Sequence, residues 1–332
     1  MYKGVTIGYY ARNGYFSSPA ARTEIDRISE AGIPWICLVC TIMQEQFCST
    51  RMFRDPVITP GDDELIDIIG YAHGKGIQVL FRPMLECWDG TQRMHISFPL
   101  DGCIHEGRPF TYWQQWFENY TAMTLHYLRV AERCGCEAYS FDSELNATVD
   151  QNEGWLKLID TARSRWNRPL TTCMINPESF FYESVKSNPD HWFRALDALG
   201  TSMYHPAADK PGATVDEMVA GLQAKVEECR KFVDVYGRDF YFGECGCCAV
   251  QGAAMKPYYW RTGGGYDGRE QADYLQAVIR AFSGEAWWKG MFWWKWDNQN
   301  DRPSFHDDPA GNKDFSIYGK PALAVMSDWC RK

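Results

Sequence analysis

The sequence predicts an α/β fold, a single (β/α)8 TIM barrel spanning residues 1–332. Candidate strands and helices alternate from end to end, which implies parallel strands joined by right-handed helical crossovers. There are eight strand–helix units of roughly forty residues each, and eight close a barrel rather than leave an open doubly wound sheet. No linker or shift of composition divides the chain, so it reads as one domain.

Taken in order, the strands are the apolar, β-branched or aromatic runs at residues 5–10, 35–41, 78–84, 138–142, 170–175, 199–204, 240–244 and 291–297. Helix signals lie between them. Ser18-Pro19 supplies a cap and a first-turn proline, and Thr59-Pro60 ahead of Asp62 and Asp63 does the same for the next helix. Trp113, Trp116, Phe117, Tyr120, Tyr127 and Ala131 form one apolar stripe. Thr214-Val215-Asp216-Glu217 is a capping box, and Met218, Leu222, Val226 and Cys229 follow it on one face. No glycine-rich phosphate loop follows the first strand, which argues against a nucleotide fold. The longest connections, around 42–60, 85–110, 176–189 and 245–265, fall at the rim where barrel active sites form.

Charge narrows the partners. Lys and Arg number 34 against 43 Asp and Glu, a net charge of −9, and no basic run is present. That leaves no positive footprint for nucleic acid or an anionic membrane. No stretch reaches the roughly 18–20 apolar residues of a membrane span. The opening residues Met1 to Tyr10 read as a first strand rather than a signal peptide. The 13 Cys are scattered through a chain too large to need staples, so they are expected as free, mostly buried thiols in a cytoplasmic protein. Cys245, Cys247 and Cys248 are the tightest group, but no second ligand pair accompanies them. Small residues packing at a strand end is the expectation there, with no metal and no cofactor. Oligomeric state is left open. Aromatic residues reach 15%, including 14 Trp and 18 Tyr, and these offer the flat faces that sugar rings need.

Barrel chemistry belongs at strand C-terminal ends, and two carboxylates stand there. Glu144 follows strand four in Phe141-Asp142-Ser143-Glu144, and Glu244 ends strand seven in Phe242-Gly243-Glu244-Cys245. Facing one cavity, such a pair can cleave a sugar acetal, one as acid and one as attacking carboxylate, when roughly 5–5.5 Å apart. The plainer alternative is a salt bridge at the rim. Arg82 near the end of strand three can keep a carboxylate ionised or close a structural ion pair. Tyr204 at the end of strand six can hydrogen-bond a carboxylate or simply pack. In strand eight, alternation puts Trp294 and Trp296 on one face, as a floor under a sugar.

The chain resembles glycoside hydrolase family 113, a β-mannanase family within the large retaining (β/α)8 clan. The likeness begins at Lys3-Gly4-Val5 and Ser17-Ser18-Pro19 and continues through Thr59-Pro60-Gly61-Asp62-Asp63-Glu64-Leu65 and Ser143-Glu144-Leu145. It runs on through Ala195-Leu196-Asp197-Ala198-Leu199-Gly200, Gly243-Glu244-Cys245-Gly246 and Trp293-Trp294-Lys295-Trp296, and closes at Tyr318-Gly319-Lys320-Pro321-Ala322. The resemblance implies Glu144 as acid/base and Glu244 as nucleophile of a retaining endo-β-1,4-mannanase acting on mannan or manno-oligosaccharides. Two departures stand out. Ser143 occupies the place where the clan usually has an asparagine contacting the sugar 2-hydroxyl, and Cys245-Gly246-Cys247-Cys248 replaces an isoleucine-glycine-tyrosine type of run. Trp88, Trp260, Trp294 and Trp296 are expected to stack around the cleaved bond. The competing readings are a gluco-specific or mixed β-glycosidase of the same clan, a non-catalytic sugar-binding barrel, and a metal-dependent hydrolase.

Overall fold

Eight parallel strands close into a ring because the first pairs with both the second and the last. The computed structural model describes residues 1–332 apart from 10, 99–100, 103, 106, 110, 181–187, 189, 261–263 and 298–311. The strands are β1 (Tyr2–Ile7), β2 (Trp35–Gln44), β3 (Gln78–Cys87), β4 (Ala138–Ser140), β5 (Leu170–Thr171), β6 (Ala198–Met203), β7 (Asp239–Cys245) and β8 (Trp288–Trp293). Each pairs in parallel with its sequence neighbours, and β1 closes the ring through Gly4 opposite Trp35 on β2 and Tyr2 opposite Gly290 on β8.

Eight α-helices accompany them among the described residues: α1 (Pro19–Glu30), α2 (Asp62–Gly74), α3 (Tyr112–Cys134), α4 (Asn152–Arg163), α5 (Pro177–Phe180), α6 (Val215–Tyr236), α7 (Gly268–Phe282) and α8 (Pro321–Arg331). None of these helices is long and apolar enough to cross a membrane.

Inside the ring, Cys37, Val39, Leu80, Met84, Ala138, Ala198, Tyr241 and Phe292 form an inner core with Tyr2 and Trp35 packed on it. Large rings crossing a narrow lumen need a bare backbone opposite them. A Cβ on Gly4 would lie 2.8 Å from the Phe292 ring, and one on Gly200 would lie 2.9 Å from Tyr241. β1 starts at Tyr2 and β8 at Trp288, each three residues before the predicted apolar run. The last residue of the predicted first strand, Tyr10, lies outside the described residues.

Two caps form as read. Ser18 Oγ accepts from Ala21 N at 3.3 Å, and the Thr214–Glu217 box closes in both directions. The cap of α2 is a correction. Gly61 is the N-cap, its N–H donating to Glu64 Oε1 at 2.6 Å, while Thr59 Oγ1 accepts from Asp55 N. Glu64 wins because the same carboxylate also accepts from Gly14 N and Phe16 N, tying the β1–α1 connection to the helix start.

Candidate active site

Strand β3 presents its even-numbered residues to the lumen: Leu80 and Met84 join the inner core, while Phe81 and Leu85 pack outward. The same alternation sends Arg82 and Glu86 inward. Arg82 is fully buried, and its Nη2 lies 3.7 Å from Glu244 Oε1, close enough for charge pairing.

Strand β7 carries one extra residue between Phe242 and Glu244 relative to β6, so that Glu244 pairs with Ser202 where Phe242 pairs with Thr201. The extra residue is Gly243, whose carbonyl accepts from Arg82 Nη1 at 3.2 Å. A Cβ there would sit 2.5 Å from Cys173 Sγ and 3.0 Å from that guanidinium nitrogen, so the bulge requires glycine. Beyond it Glu244 turns inward and Cys245 joins the outer core.

Strand β4 ends early, at Ser140, because the chain turns toward the mouth. Phe141 N and Glu144 N still bond Thr171 O and Cys173 O, at 2.9 and 2.7 Å, and Glu144 itself adopts a left-handed φ of 60°. Asp142 stitches this segment to the neighbouring one by accepting from the Thr172 hydroxyl and from Cys173 N. Asn146 does the same from its side chain, donating to Ile175 O and accepting from Ile175 N.

Ser143 Oγ donates to Glu244 Oε1 at 2.9 Å, and Tyr204 OH donates to Glu244 Oε2 at 2.9 Å. Both oxygens of Glu244 are therefore held, and the residue is 3% exposed. Burial pushes its carboxyl above the usual range, the charge on Glu144 adds to that, and Arg82, Arg93 and the Ser143 hydrogen bond pull it back. Glu144 is more open, with 19% of its side chain exposed.

Sequence reasoning missed the cation that serves Glu144. Arg93 stands on a single 3-10 turn, Arg93–His95, in the long β3–α3 connection. Its Nη2 donates to Glu144 Oε2 at 2.9 Å, its Nε donates to Ser143 O at 2.8 Å, and its Nη1 donates to Glu86 Oε1. Tyr9 OH donates to the same oxygen of Glu86. Glu86 did carry a signal, since it shares the inward phase of Arg82; Arg93 carried none.

The structure thus brings Glu144, Glu244, Arg82 and Tyr204 together. Trp294 packs against the inner core, its ring 4.9 Å from that of Tyr9, whose hydroxyl bonds Glu86. Trp296 does not join, which corrects the expected floor. It is 1% exposed, donates from Nε1 to Glu24 Oε2 on α1 at 2.8 Å, and packs on Tyr318. The β8 ladder ends at Trp293, so the alternation that would have paired Trp296 with Trp294 does not extend that far. Trp88 and Trp260 are exposed on connecting loops, at 56% and 64%.

Cys245, Cys247 and Cys248 are buried, and the described cysteines are free. Burial pushes the Cys248 thiol up to about 12, away from metal-binding thiolate character. Among the described residues no group of three His, Cys, Asp or Glu is placed to hold a metal ion.

A parallel barrel with two carboxyl groups at its mouth, one buried against a cation and one partly open, is the build of a glycoside hydrolase. The profile of Glycoside Hydrolase Family 113 matches residues 5–320, and the chain belongs to that family. It is similar to two solved structures of GH113 β-1,4-mannanase, each at 27% identity over 99% of this chain and 98% of the other, with TM-scores of 0.82 and 0.85. It shares its fold with the GH113 β-mannanase AaManA from Alicyclobacillus acidocaldarius, at 24% identity over 99% and 96% of the chains and a TM-score of 0.85. Among curated proteins none matches.

Proposed function

We propose that the protein is a retaining β-glycosidase that hydrolyses internal β-1,4-mannosidic bonds in mannan or manno-oligosaccharides, with Glu244 as nucleophile and Glu144 as acid/base. The observation that carries this reading is the asymmetry of the two carboxylates. Glu244 is buried with both oxygens held by hydroxyl donors and a guanidinium behind it, which suits a group that attacks carbon. Glu144 keeps solvent contact, which suits a group that must exchange a proton with water in every turnover.

In the first step Glu144 gives its proton to the leaving oxygen as the anomeric C–O bond breaks and a Glu244 oxygen bonds the anomeric carbon. In the second, Glu144 takes a proton from water, the water oxygen bonds that carbon, and the ester to Glu244 breaks. The hydroxyls of Ser143 and Tyr204 hold the carboxylate in line for attack and stabilise its charge again as it leaves. Arg82 favours the ionised form against the cost of burial.

The mannanase neighbours support the sugar. The rival, a gluco-configured substrate, draws on Ser143, whose hydroxyl is engaged with Glu244 rather than reaching out as a longer amide would. Free thiols support a reducing, cytoplasmic setting.

Product analysis on manno- and cello-oligosaccharides of defined length, with the product anomer followed by NMR, tests the reading. Internal cleavage of the manno series with β-anomer released first is expected. Release of the α-anomer overturns retention, and preference for the cello series overturns the sugar. Glu244→Ala is expected to be inactive and to yield an inverted glycosyl azide when azide is supplied.

A further inference from the structure

The guanidinium of Arg93 spends all three of its nitrogens on the machinery around Glu144: Nη2 on Glu144 Oε2, Nε on the carbonyl of the preceding residue Ser143, and Nη1 on Glu86 Oε1. The side chain of Arg93 is 10% exposed, so these bonds are made largely out of water, where geometry is enforced strongly. Glu144 Oε1, by contrast, accepts no hydrogen bond among the described residues. The two oxygens of one carboxyl group are therefore unequal. A guanidinium has donors only, and the carbonyl oxygen of a protonated carboxyl is its better acceptor, so the proton is favoured on the oxygen that does not face the guanidinium.

We propose that Arg93 is a positioning residue that occupies Glu144 Oε2 and thereby makes Oε1 the oxygen that carries and delivers the catalytic proton. This rests on the acid/base role proposed for Glu144. In the glycosylation step the Oε1–H bond breaks and its proton goes to the leaving oxygen, while Oε2 stays on Arg93. In deglycosylation the lone pair of Oε1 takes the proton of the attacking water. Glu86 sets the strength of the hold. It shares the guanidinium and is itself fixed by Tyr9, so it orients Arg93 and offsets part of its charge.

Glu244 on β7 and Tyr204 at the end of β6 also interact electrostatically with Glu144, while Tyr9 after β1 bears on Arg93 and Arg82 on β3 bears on Glu244. None of them changes in the variants below, so the sign of each shift belongs to the Arg93–Glu86 pair. Removing the cation disfavours ionised Glu144, so Arg93→Met moves the alkaline limb of kcat/KM to higher pH. Removing the anion does the opposite, so Glu86→Gln moves it to lower pH. Arg93→Lys keeps the charge and holds the limb near the parent position.

The decisive comparison uses two leaving groups. Manno-oligosaccharide needs a proton on its departing sugar, whereas 2,4-dinitrophenyl β-mannoside does not. With general acid catalysis contributing about 100-fold or more, Arg93→Met is expected to lose at least about 30-fold in kcat/KM on the oligosaccharide and no more than about 3-fold on the activated glycoside. Equal losses on both, or an unmoved alkaline limb in both Arg93→Met and Glu86→Gln, overturn the proposal and leave Arg93 a structural ion pair. Should Arg93→Met fail to fold, Glu86→Gln and Arg93→Lys decide through the sign of their shifts. Glu144→Ala separates this from the underlying reading. If it keeps full activity on both substrates, the acid/base assignment falls; if it discriminates between leaving groups and Arg93→Met does not, only the role of Arg93 falls.

Discussion

Ser143 Oγ reaches across the mouth of the barrel to Glu244 Oε1 at 2.9 Å, from the position next to Glu144 in the chain. One short side chain thus ties the nucleophile assigned above to the backbone that carries its partner. A hydroxyl donor favours the ionised carboxylate, against a burial effect that disfavours it. Attack requires the ionised form, so activity is lost as pH falls through the raised value of Glu244. Ser143→Ala removes a stabilising donor and raises that value further. The acidic limb of kcat/KM is expected to move to higher pH, with an optimum about 10-fold lower, in line with a charge-assisted hydrogen bond of about 1.5 kcal/mol. A limb that moves to lower pH contradicts the assignment.

Arg82 faces Glu244 from a fully buried position, and breaking such a pair from one side strands the other charge. Arg82→Met is expected to cost about 3–5 kcal/mol in denaturant unfolding and to abolish measurable turnover. Loss of turnover with unchanged stability would separate the charge effect from the packing role.

The tryptophans divide by burial. Trp296→Ala is expected to destabilise the fold by about 3–5 kcal/mol while KM stays near the parent value, because the ring fills the helix layer. Trp88→Ala is expected to change stability by no more than about 0.5 kcal/mol, since the side chain is mostly in water. A raised KM for longer manno-oligosaccharides in Trp88→Ala would give that ring a stacking role.

Away from the mouth, Lys225 on α6 is buried against Glu178 of α5 at 3.1 Å and Glu228 at 2.8 Å. Lys225→Met leaves Glu178 buried without its cation and is expected to cost about 3–5 kcal/mol in a thermal or denaturant melt. Adding Glu178→Gln to that variant is expected to recover part of the loss. No recovery would show that packing of the lysine stem, not charge, holds α5 to α6.

The ring of eight strands was legible because strand–helix alternation is a property of the whole chain and survives errors of a few residues at each end. The positions of Glu144, Glu244 and Tyr204 were legible for a related reason: each lies at or just past a strand end, where the barrel dictates direction, while Arg82, midway along β3, is turned inward by strand alternation. Trp296 was misread because two-residue alternation holds only while a ladder lasts, and β8 stops three residues earlier. Arg93 was invisible, since it acts on Glu144, 51 positions away, from an isolated turn in a long loop with no period to betray it. The α2 cap was misassigned because a glycine has no side chain to advertise the role, and the acceptor came from Glu64.

The bulge at Gly243 has a meaning for the reaction cycle as a whole. When a sugar becomes ester-linked to Glu244, the carboxylate gives up its negative charge, and Arg82 would be left facing a neutral partner in a dry interior. The carbonyl freed by the extra residue of β7 still accepts from that guanidinium, and main chain does not titrate or depart with product. The arginine therefore has a resting place through both halves of the proposed turnover, supplied by a backbone atom that no side-chain replacement can delete.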